Sequence, residues 1–269
     1  MLVFVQCVIN VVFARCALQI HCPEKDNSPQ KYYALMAFSY LGAMVASNLA
    51  LQYVSYPTQV LGKSAKPIPV MILGVIMARK KYPFRKYIFV FMIVIGVALF
   101  MYKDKKAVDT THTLGSGEVL LLVSLFLDGI TGGVQDKLRA EHRSPTHCMM
   151  LWMNVWSVIY LGVAIIVTGE GIAFMQFASR FPMVIVNMLI FSVCSAVGQN
   201  FIFMTVTNFG PLTCSIFTTT RKFFTILASV IIFQNPMAFR QWIGTVCVFI
   251  GLALDSMYGK ERKPPKNTS

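Results

Sequence analysis

The sequence carries little charge for its length. Only 13% of its 269 residues are Asp, Glu, Lys or Arg, whereas 56% are hydrophobic, and the mean hydropathy is +0.62. Soluble domains usually carry about a quarter charged residues, so this chain has too few to coat the surface of a soluble enzyme. A bilayer span needs about 20 mostly apolar residues, and the composition leaves room for many such spans.

The sequence also lacks the residue patterns of catalytic and metal sites. Its seven cysteines form no C-x-x-C pair and lie mostly in apolar stretches, so we interpret them as small core side chains. No His pair has metal-ligand spacing, and no Ser, His and Asp constellation indicates a nucleophile. Gly62-Lys63-Ser64 resembles the end of an ATP-binding P-loop, but Pro57 replaces the glycine that this loop requires. We therefore predict no enzyme, no metal and no cofactor.

Nine long apolar segments predict an all-α polytopic membrane protein. Their length and lack of alternation disfavour a β-barrel. The first is interpreted as a span rather than a signal peptide, because it lacks a basic start and carries Arg15 near its end. The predicted spans cover residues 1–20, 32–53, 57–78, 87–102, 115–134, 146–168, 183–207, 211–234 and 240–258.

The basic residues set the predicted orientation. The chain has 24 Lys and Arg residues against 11 Asp and Glu residues. If successive spans alternate in direction, most of the Lys and Arg residues in loops fall on the same side of the membrane as the C-terminal tail. Because basic loops stay in the cytosol, the tail at 259–269 is predicted to be cytosolic and the connecting loop at 103–114 lumenal. We therefore read the excess as a topology signal and not as nucleic-acid binding.

The two halves of the chain match each other at a constant offset of 155 residues. Residues 95–99 match 250–254, and Lys66 falls on Arg221. Equivalent spans point in opposite directions, which predicts an inverted repeat of five helices, as in many secondary transporters. The first repeat is placed at 1–102 and the second at 115–258. At this offset the first repeat lacks its first helix, so we expect a form one helix short of a five-plus-five protein.

Cations inside two predicted spans mark the candidate site. A charged side chain at the bilayer centre costs roughly 2.5–3.5 kcal/mol and is a functional hypothesis by default. Lys63 and Lys66 share a helix face just before Pro67, which loosens the helix. Arg221 offers a planar fork and Lys222 a point charge. These four cations predict a site for a polyanion such as a diphosphate or a triphosphate.

Other polar residues complete the prediction and its alternatives. Glu118 and Asp128 are candidate internal ion-pair partners of the cations, and Lys63 can alternatively reach the nearby interface. Candidate contacts to a base or sugar, for which helix–helix hydrogen bonding is the alternative, are Asn48, Gln52, Tyr56, Gln59, Gln199, Asn200, Thr219 and Thr220.

Three stretches, residues 47–67, 128–136 and 209–225, resemble nucleotide-sugar transporters of the UDP-galactose type, in the B-type branch of solute carrier family 35. The resemblance implies ten helices in the drug/metabolite transporter fold. It implies exchange of a UDP-galactose or UDP-glucose type substrate for a nucleotide across the endoplasmic reticulum membrane, with the Golgi membrane as an alternative. ATP/ADP exchange is a competing activity in this branch. The resemblance also assigns phosphate binding to Lys63, Lys66, Arg221 and Lys222.

The sequence departs from this family in two places. Against the family pattern we expect the first helix to be missing and the C-terminal dilysine retrieval signal to be incomplete, because Asn267 follows Lys266. A non-transporting scaffold is therefore an alternative, while a membrane transferase would need paired acids or a metal motif. The expected partners are a nucleotide or nucleotide-sugar substrate and the lipid bilayer, and a homo-oligomer is left open.

Overall fold

The computed structural model describes residues 1–20, 28–54, 59, 62–79, 82–101, 116–232 and 239–258. Within these ranges no strand occurs, and the chain is almost entirely helical. Its helices of eleven residues or more are α1 (Leu2–Ile20), α2 (Gln30–Ala50), α3 (Pro67–Ala78), α4 (Phe84–Met101), α5 (Ser116–Glu141), α6 (Thr146–Thr168), α7 (Glu170–Arg180), α8 (Met183–Phe209), α9 (Pro211–Ile232) and α10 (Phe239–Tyr258).

The all-α membrane fold predicted from the sequence is confirmed. Each of the nine predicted spans overlaps one of these helices. Five of them, α1, α2, α5, α6 and α8, are long and apolar enough by themselves to cross a bilayer. The connecting loop at 103–114 and the tail at 259–269 lie outside the described residues, so their sidedness stays a prediction.

Helix α5 is longer than predicted. It continues past the expected end at Val134 to Glu141, so Arg139 lies on the helix and not in a loop. The Arg139 guanidinium donates hydrogen bonds to the carbonyls of Thr207 (2.7 Å) and Asn208 (2.8 Å), in the last turn of α8. The last carbonyls of a helix have no partner within it. Arg139 therefore stabilises the end of α8 in addition to contributing a topology charge.

Helix α7 was not predicted. Gly169, with a φ of 67°, ends α6, and α7 begins at the next residue. An eleven-residue helix is about 16 Å long and cannot cross a hydrocarbon core of about 30 Å. Glu170 lies in the first turn of α7, where a negative charge is favourable, and it forms an ion pair with the amino group of Met1 at 2.7 Å. Because α7 is too short to cross the bilayer, the spans before and after it, α6 and α8, keep the opposite directions that the predicted alternation requires.

The chain forms two compact units. One comprises Met1–Met44 and Ile130–Cys214, and the other comprises Val45–Gly129 and the chain from Ser215 onwards. Each unit takes helices from both predicted repeats. The repeat boundaries at 1–102 and 115–258 are defined by sequence equivalence, which this division does not test, and they stay predictions.

Helix directions in the first unit follow the predicted alternation. Asn10 of α1 hydrogen bonds with Asn154 of α6, while the start of α1 reaches Gly162 through Phe4, so the two helices are antiparallel. Asn154 also bonds to Gln199 of α8. Because Thr146, at the start of α6, pairs with Thr207, at the end of α8, these two helices are antiparallel as well. The predicted topology requires both relations.

In the second unit, α4 and α10 cross at two glycines. Gly96 lies against Val248, and Gly251 lies against Ile93. Shifting Ile93 and Gly96 by the repeat offset gives Val248 and Gly251, so each contact is the symmetry mate of the other. Such reciprocal contacts are the property of a two-fold interface. The helices are antiparallel, which is the arrangement that an inverted repeat predicts.

Candidate functional site

The third predicted span is broken at the cation cluster. Helix α3 begins at Pro67, and the preceding turn is closed by tight hydrogen bonds from Ala65 N to Gly62 O (3.0 Å) and from Lys66 N to Lys63 O (3.3 Å). Proline lacks an N–H and is well placed in the first turn of a helix. Gly62, Lys63 and Ser64 are helical, so Lys63 lies just before the turn, and Lys66 lies on the turn that leads into α3, where the prolines were predicted to loosen the helix.

The chain around this turn packs against one face of α5. Gly117 of α5 lies against Tyr53, Leu121 lies next to Gly62, and further along Gly129 lies against Pro69. A Cβ at Gly129 would be only 3.0 Å from the Pro69 carbonyl oxygen, so glycine permits the close approach. The segment that enters α3 thus runs beside α5 in the same direction, as the alternation of spans requires.

Both lysines reach one carboxylate on that face. Lys63 Nζ lies 2.8 Å from Asp128 Oδ2, and Lys66 Nζ lies 3.1 Å from Asp128 Oδ1. The Asp128 side chain is only 8% exposed, whereas those of Lys63 and Lys66 are 17% and 38% exposed. The internal pairing considered for Asp128 is therefore formed. Two ammonium groups on one carboxylate leave one positive charge in excess.

A buried carboxylate in this position depends on its partners. Removing a charge from water costs several kcal/mol unless opposite charges and hydrogen bonds compensate it. Each Asp128 oxygen accepts a hydrogen bond from a different lysine. The ion pairs thus hold the broken end of α3 against the middle of α5.

Helix α9 presents the second predicted cluster. Arg221 is exposed and forms no ion pair with any described residue, and Thr219 and Thr220 are buried. Thr220 Oγ1 and Ser215 Oγ are buried hydroxyls without a hydrogen-bond partner among the described residues. The side chain of Lys222 lies outside what the structure describes. Joint action of Arg221 with Lys66 stays a prediction.

The remaining candidates near this cluster have varied environments. Glu118 is exposed, with no ion pair in the described part of the chain, so it is not an observed partner of the cations. Asn48 and Gln52 are exposed, and Tyr56 lies outside the described residues. Gln59 is buried and donates hydrogen bonds to the carbonyl and the hydroxyl of Ser47.

The first unit contains a polar chain that the sequence analysis found only in part. Asn154 Nδ2 donates to Gln199 Oε1 at 3.3 Å and Asn10 Nδ2 donates to Asn154 Oδ1 at 3.2 Å, which links three helices. Asn200 Oδ1 is buried with no hydrogen-bond partner among described residues. Asn10 and Asn154 were not predicted, although an asparagine inside an apolar span was the available signal.

No candidate metal site is present among the described residues. In the described ranges, no three His, Cys, Asp or Glu side chains are placed to hold an ion together. The side chains brought together in the second unit are ammonium groups around a carboxylate, which suits an anionic ligand better than a cation.

Comparison with known proteins agrees with this architecture. Residues 1–259 match the UAA transporter family. Solute carrier family 35 member B1 of Xenopus tropicalis is 56% identical over 269 residues, which cover 99% of this chain and 83% of the relative. The Bos taurus protein of the same name is 58% identical over 264 residues, covering 97% and 82%.

A more distant relative extends the comparison to insects. The Drosophila melanogaster protein described as a solute carrier family 35 member B1 homolog is 48% identical over 271 residues, covering 98% of this chain and 80% of the relative. The match to the family model spans nearly the whole chain, and the helices are those of a polytopic membrane protein. The chain therefore belongs to the UAA transporter family.

Proposed function

We propose that this multi-pass membrane transporter is a secondary-active antiporter that exchanges nucleotide sugars of the UDP-galactose or UDP-glucose type for nucleotides. The observation that supports it most is the pair of lysines on Asp128, which lies in α5, a helix long and apolar enough to cross a bilayer. A surplus cation at such depth is costly and indicates a function. The substrate class follows from the resemblance of the sequence stretches around these residues to nucleotide-sugar transporters.

The phosphates are bound by Lys66 and Arg221, with help from Lys63 and Lys222. Lys66 keeps part of its side chain exposed while paired, and Arg221 is exposed. A guanidinium binds two phosphate oxygens at once, whereas an ammonium acts as a point charge. The two groups therefore suit a diphosphate, which UDP-sugars, ADP and ATP contain, while a nucleoside monophosphate such as UMP offers them a single phosphate.

Transport proceeds by alternating access of this one site. Inverted repeats commonly rock around a central binding site so that it opens to each side in turn. The antiparallel contact of α4 with α10 supports such a repeat, because its two glycine contacts are related by the repeat offset. The direction of exchange, the endoplasmic reticulum location and the cytosolic C-terminus belong to this proposal.

ATP/ADP exchange is the second candidate function. The same four cations would bind its phosphates, so the charge chemistry does not separate the two substrates. Among the predicted base or sugar contacts, Gln59 donates its amide N–H groups to Ser47, and Gln199 accepts a hydrogen bond from Asn154. In the second unit this leaves Asn48 and Gln52, which are exposed, as candidates to select the base.

A competition panel in proteoliposomes decides between these substrates. Purified chain is reconstituted, and UDP-glucose, UDP-galactose, UMP, ATP and ADP are each tested against labelled UDP-glucose and labelled ATP. We expect the UDP compounds and UMP to compete for labelled UDP-glucose uptake. Competition by ATP and ADP alone would favour the second function, and absence of any specific uptake would contradict both and favour a scaffold.

A further inference from the structure

The two lysines on Asp128 differ in their environments. Lys63 makes the shorter contact, at 2.8 Å, and its side chain is 17% exposed. Lys66 makes a contact of 3.1 Å and is 38% exposed. Asp128 itself is 8% exposed. The pair Lys63–Asp128 is therefore the more deeply buried one, and the ammonium of Lys66 is the more accessible.

Asp128 accepts hydrogen bonds from the same lysine ammonium groups that would bind a phosphate. An ionised carboxylate only accepts hydrogen bonds, and here each of its oxygens faces one ammonium group. A phosphate oxygen that contacts Lys66 must therefore compete with Asp128 Oδ1. If it displaced both lysines, the buried carboxylate would be left without a compensating charge, which is strongly unfavourable.

The backbone around the pair leaves little freedom for separation. Gly129, the neighbour of Asp128, lies so close to Pro69 that the first turn of α3 is packed directly on α5. Interiors packed at this density transmit strain instead of deforming continuously. Asp128 therefore changes its ion-pair partners through movement of a lysine side chain, which is long and flexible. The more exposed Lys66 can move away from Asp128 while Lys63 stays in contact with it.

We propose that Lys63 and Lys66 have different functions, which rests on the proposed phosphate site. Lys63 is a positioning residue that keeps Asp128 neutralised, and Lys66 exchanges Asp128 for a substrate phosphate. Asp128 thereby acts as an internal competitor that weakens phosphate binding and helps release the bound nucleotide. The alternative is that both lysines bind phosphate directly and Asp128 only neutralises charge.

A double-mutant cycle separates these two arrangements. The variants are Lys63→Gln and Lys66→Gln, each alone and combined with Asp128→Asn. The readouts are KM and maximal rate for labelled UDP-glucose and labelled ATP in proteoliposome exchange, with melting of the purified variants as a folding check. Glu118→Gln is the matched control, because Glu118 lies on the same helix, is exposed and has no ion pair among described residues.

Rescue should occur for Lys63 and not for Lys66. In Lys63→Gln, Asp128 pairs with Lys66 alone, and we expect KM to rise about tenfold, as for the loss of a charge-assisted contact. Adding Asp128→Asn frees Lys66 and should bring KM down to the value of Asp128→Asn alone, about tenfold below the wild type. Lys66→Gln should lose exchange with or without Asp128→Asn, and Glu118→Gln should behave as the wild type.

Several results would overturn the division of functions. One is a Lys63→Gln/Asp128→Asn variant as impaired as Lys63→Gln, and another is rescue of Lys66→Gln by Asp128→Asn. If Lys63→Gln does not fold, Asp128→Asn alone decides, since we expect its KM to fall about tenfold and its maximal rate to drop, while an equal or higher KM contradicts us. A wild-type chain that exchanges neither UDP-glucose nor ATP would instead refute the proposed function itself.

Discussion

Alanine at Lys66 or at Arg221 is expected to abolish nucleotide exchange. Both side chains are partly or fully exposed, and we place them on the substrate phosphates. Hydrogen bonds to charged groups contribute roughly 1.5–3 kcal/mol each, and 2.8 kcal/mol corresponds to about a 100-fold loss. We therefore expect exchange in proteoliposomes to fall about 100-fold or more for each variant, with the protein still folded.

The matched control for this prediction is Arg180→Ala. Arg180 is an exposed arginine at the end of α7, without an ion pair to any described residue, and it belongs to the other compact unit. We expect it to retain wild-type exchange. Wild-type rates in both Lys66→Ala and Arg221→Ala would exclude the phosphate site as placed.

Alanine at Gly96 is expected to destabilise the contact of α4 with α10. A Cβ at this position would lie 2.8 Å from Val248 Cγ2 and 2.9 Å from both the Val248 nitrogen and the Gly244 oxygen. Two of these atoms belong to the backbone, so the helices must separate. Overpacking of this kind costs about 1–3 kcal/mol. We expect a lower melting temperature and a smaller folded fraction after purification in detergent.

Two other glycines allow the loss of stability in Gly96→Ala to be compared with less crowded positions. At Gly251 the nearest atom is a side-chain carbon, Ile93 Cγ1 at 2.8 Å, so Gly251→Ala should destabilise less than Gly96→Ala. Gly198 lies in α8 with no atom within 4 Å of its Cβ position, and Gly198→Ala should be neutral or stabilise by up to about 1 kcal/mol. Equal melting temperatures of the Gly96 and Gly198 variants would argue against the tight antiparallel crossing.

The sequence was sufficient for those parts of the fold that depend on local composition. Among the described residues, apolar runs located every helix of eleven residues or more except α7, and the prolines after Lys66 located the turn before α3, because both effects are contained in a few neighbouring residues. The directions of contacting helices also agree with alternating spans. The extension of α5 was missed because its last turns carry charges that look like a loop until the Arg139 contacts at the end of α8 are known.

The candidate site was predicted less completely, because its contacts join distant parts of the chain. Asp128 and Lys63 are 65 residues apart, and the sequence offered Asp128 only as one of two acidic partners. The structure brings Asp128 and not Glu118 to the lysines. The asparagines of the polar chain in the first unit were not predicted. A single amide in an apolar helix indicates a hydrogen bond between helices only if the facing helix has a polar group opposite it, and the sequence does not show which helix that is.

The most direct test of the account is whether uptake depends on a nucleotide on the opposite side. Proteoliposomes with the purified chain are preloaded with UMP, with ADP or with buffer alone, and uptake of labelled UDP-glucose and labelled ATP is measured. An antiporter takes up its substrate rapidly only into vesicles that contain the exchange nucleotide, and Lys66→Ala removes that stimulation. Equal uptake into preloaded and buffer-filled vesicles, or no uptake into either, would contradict exchange at this site.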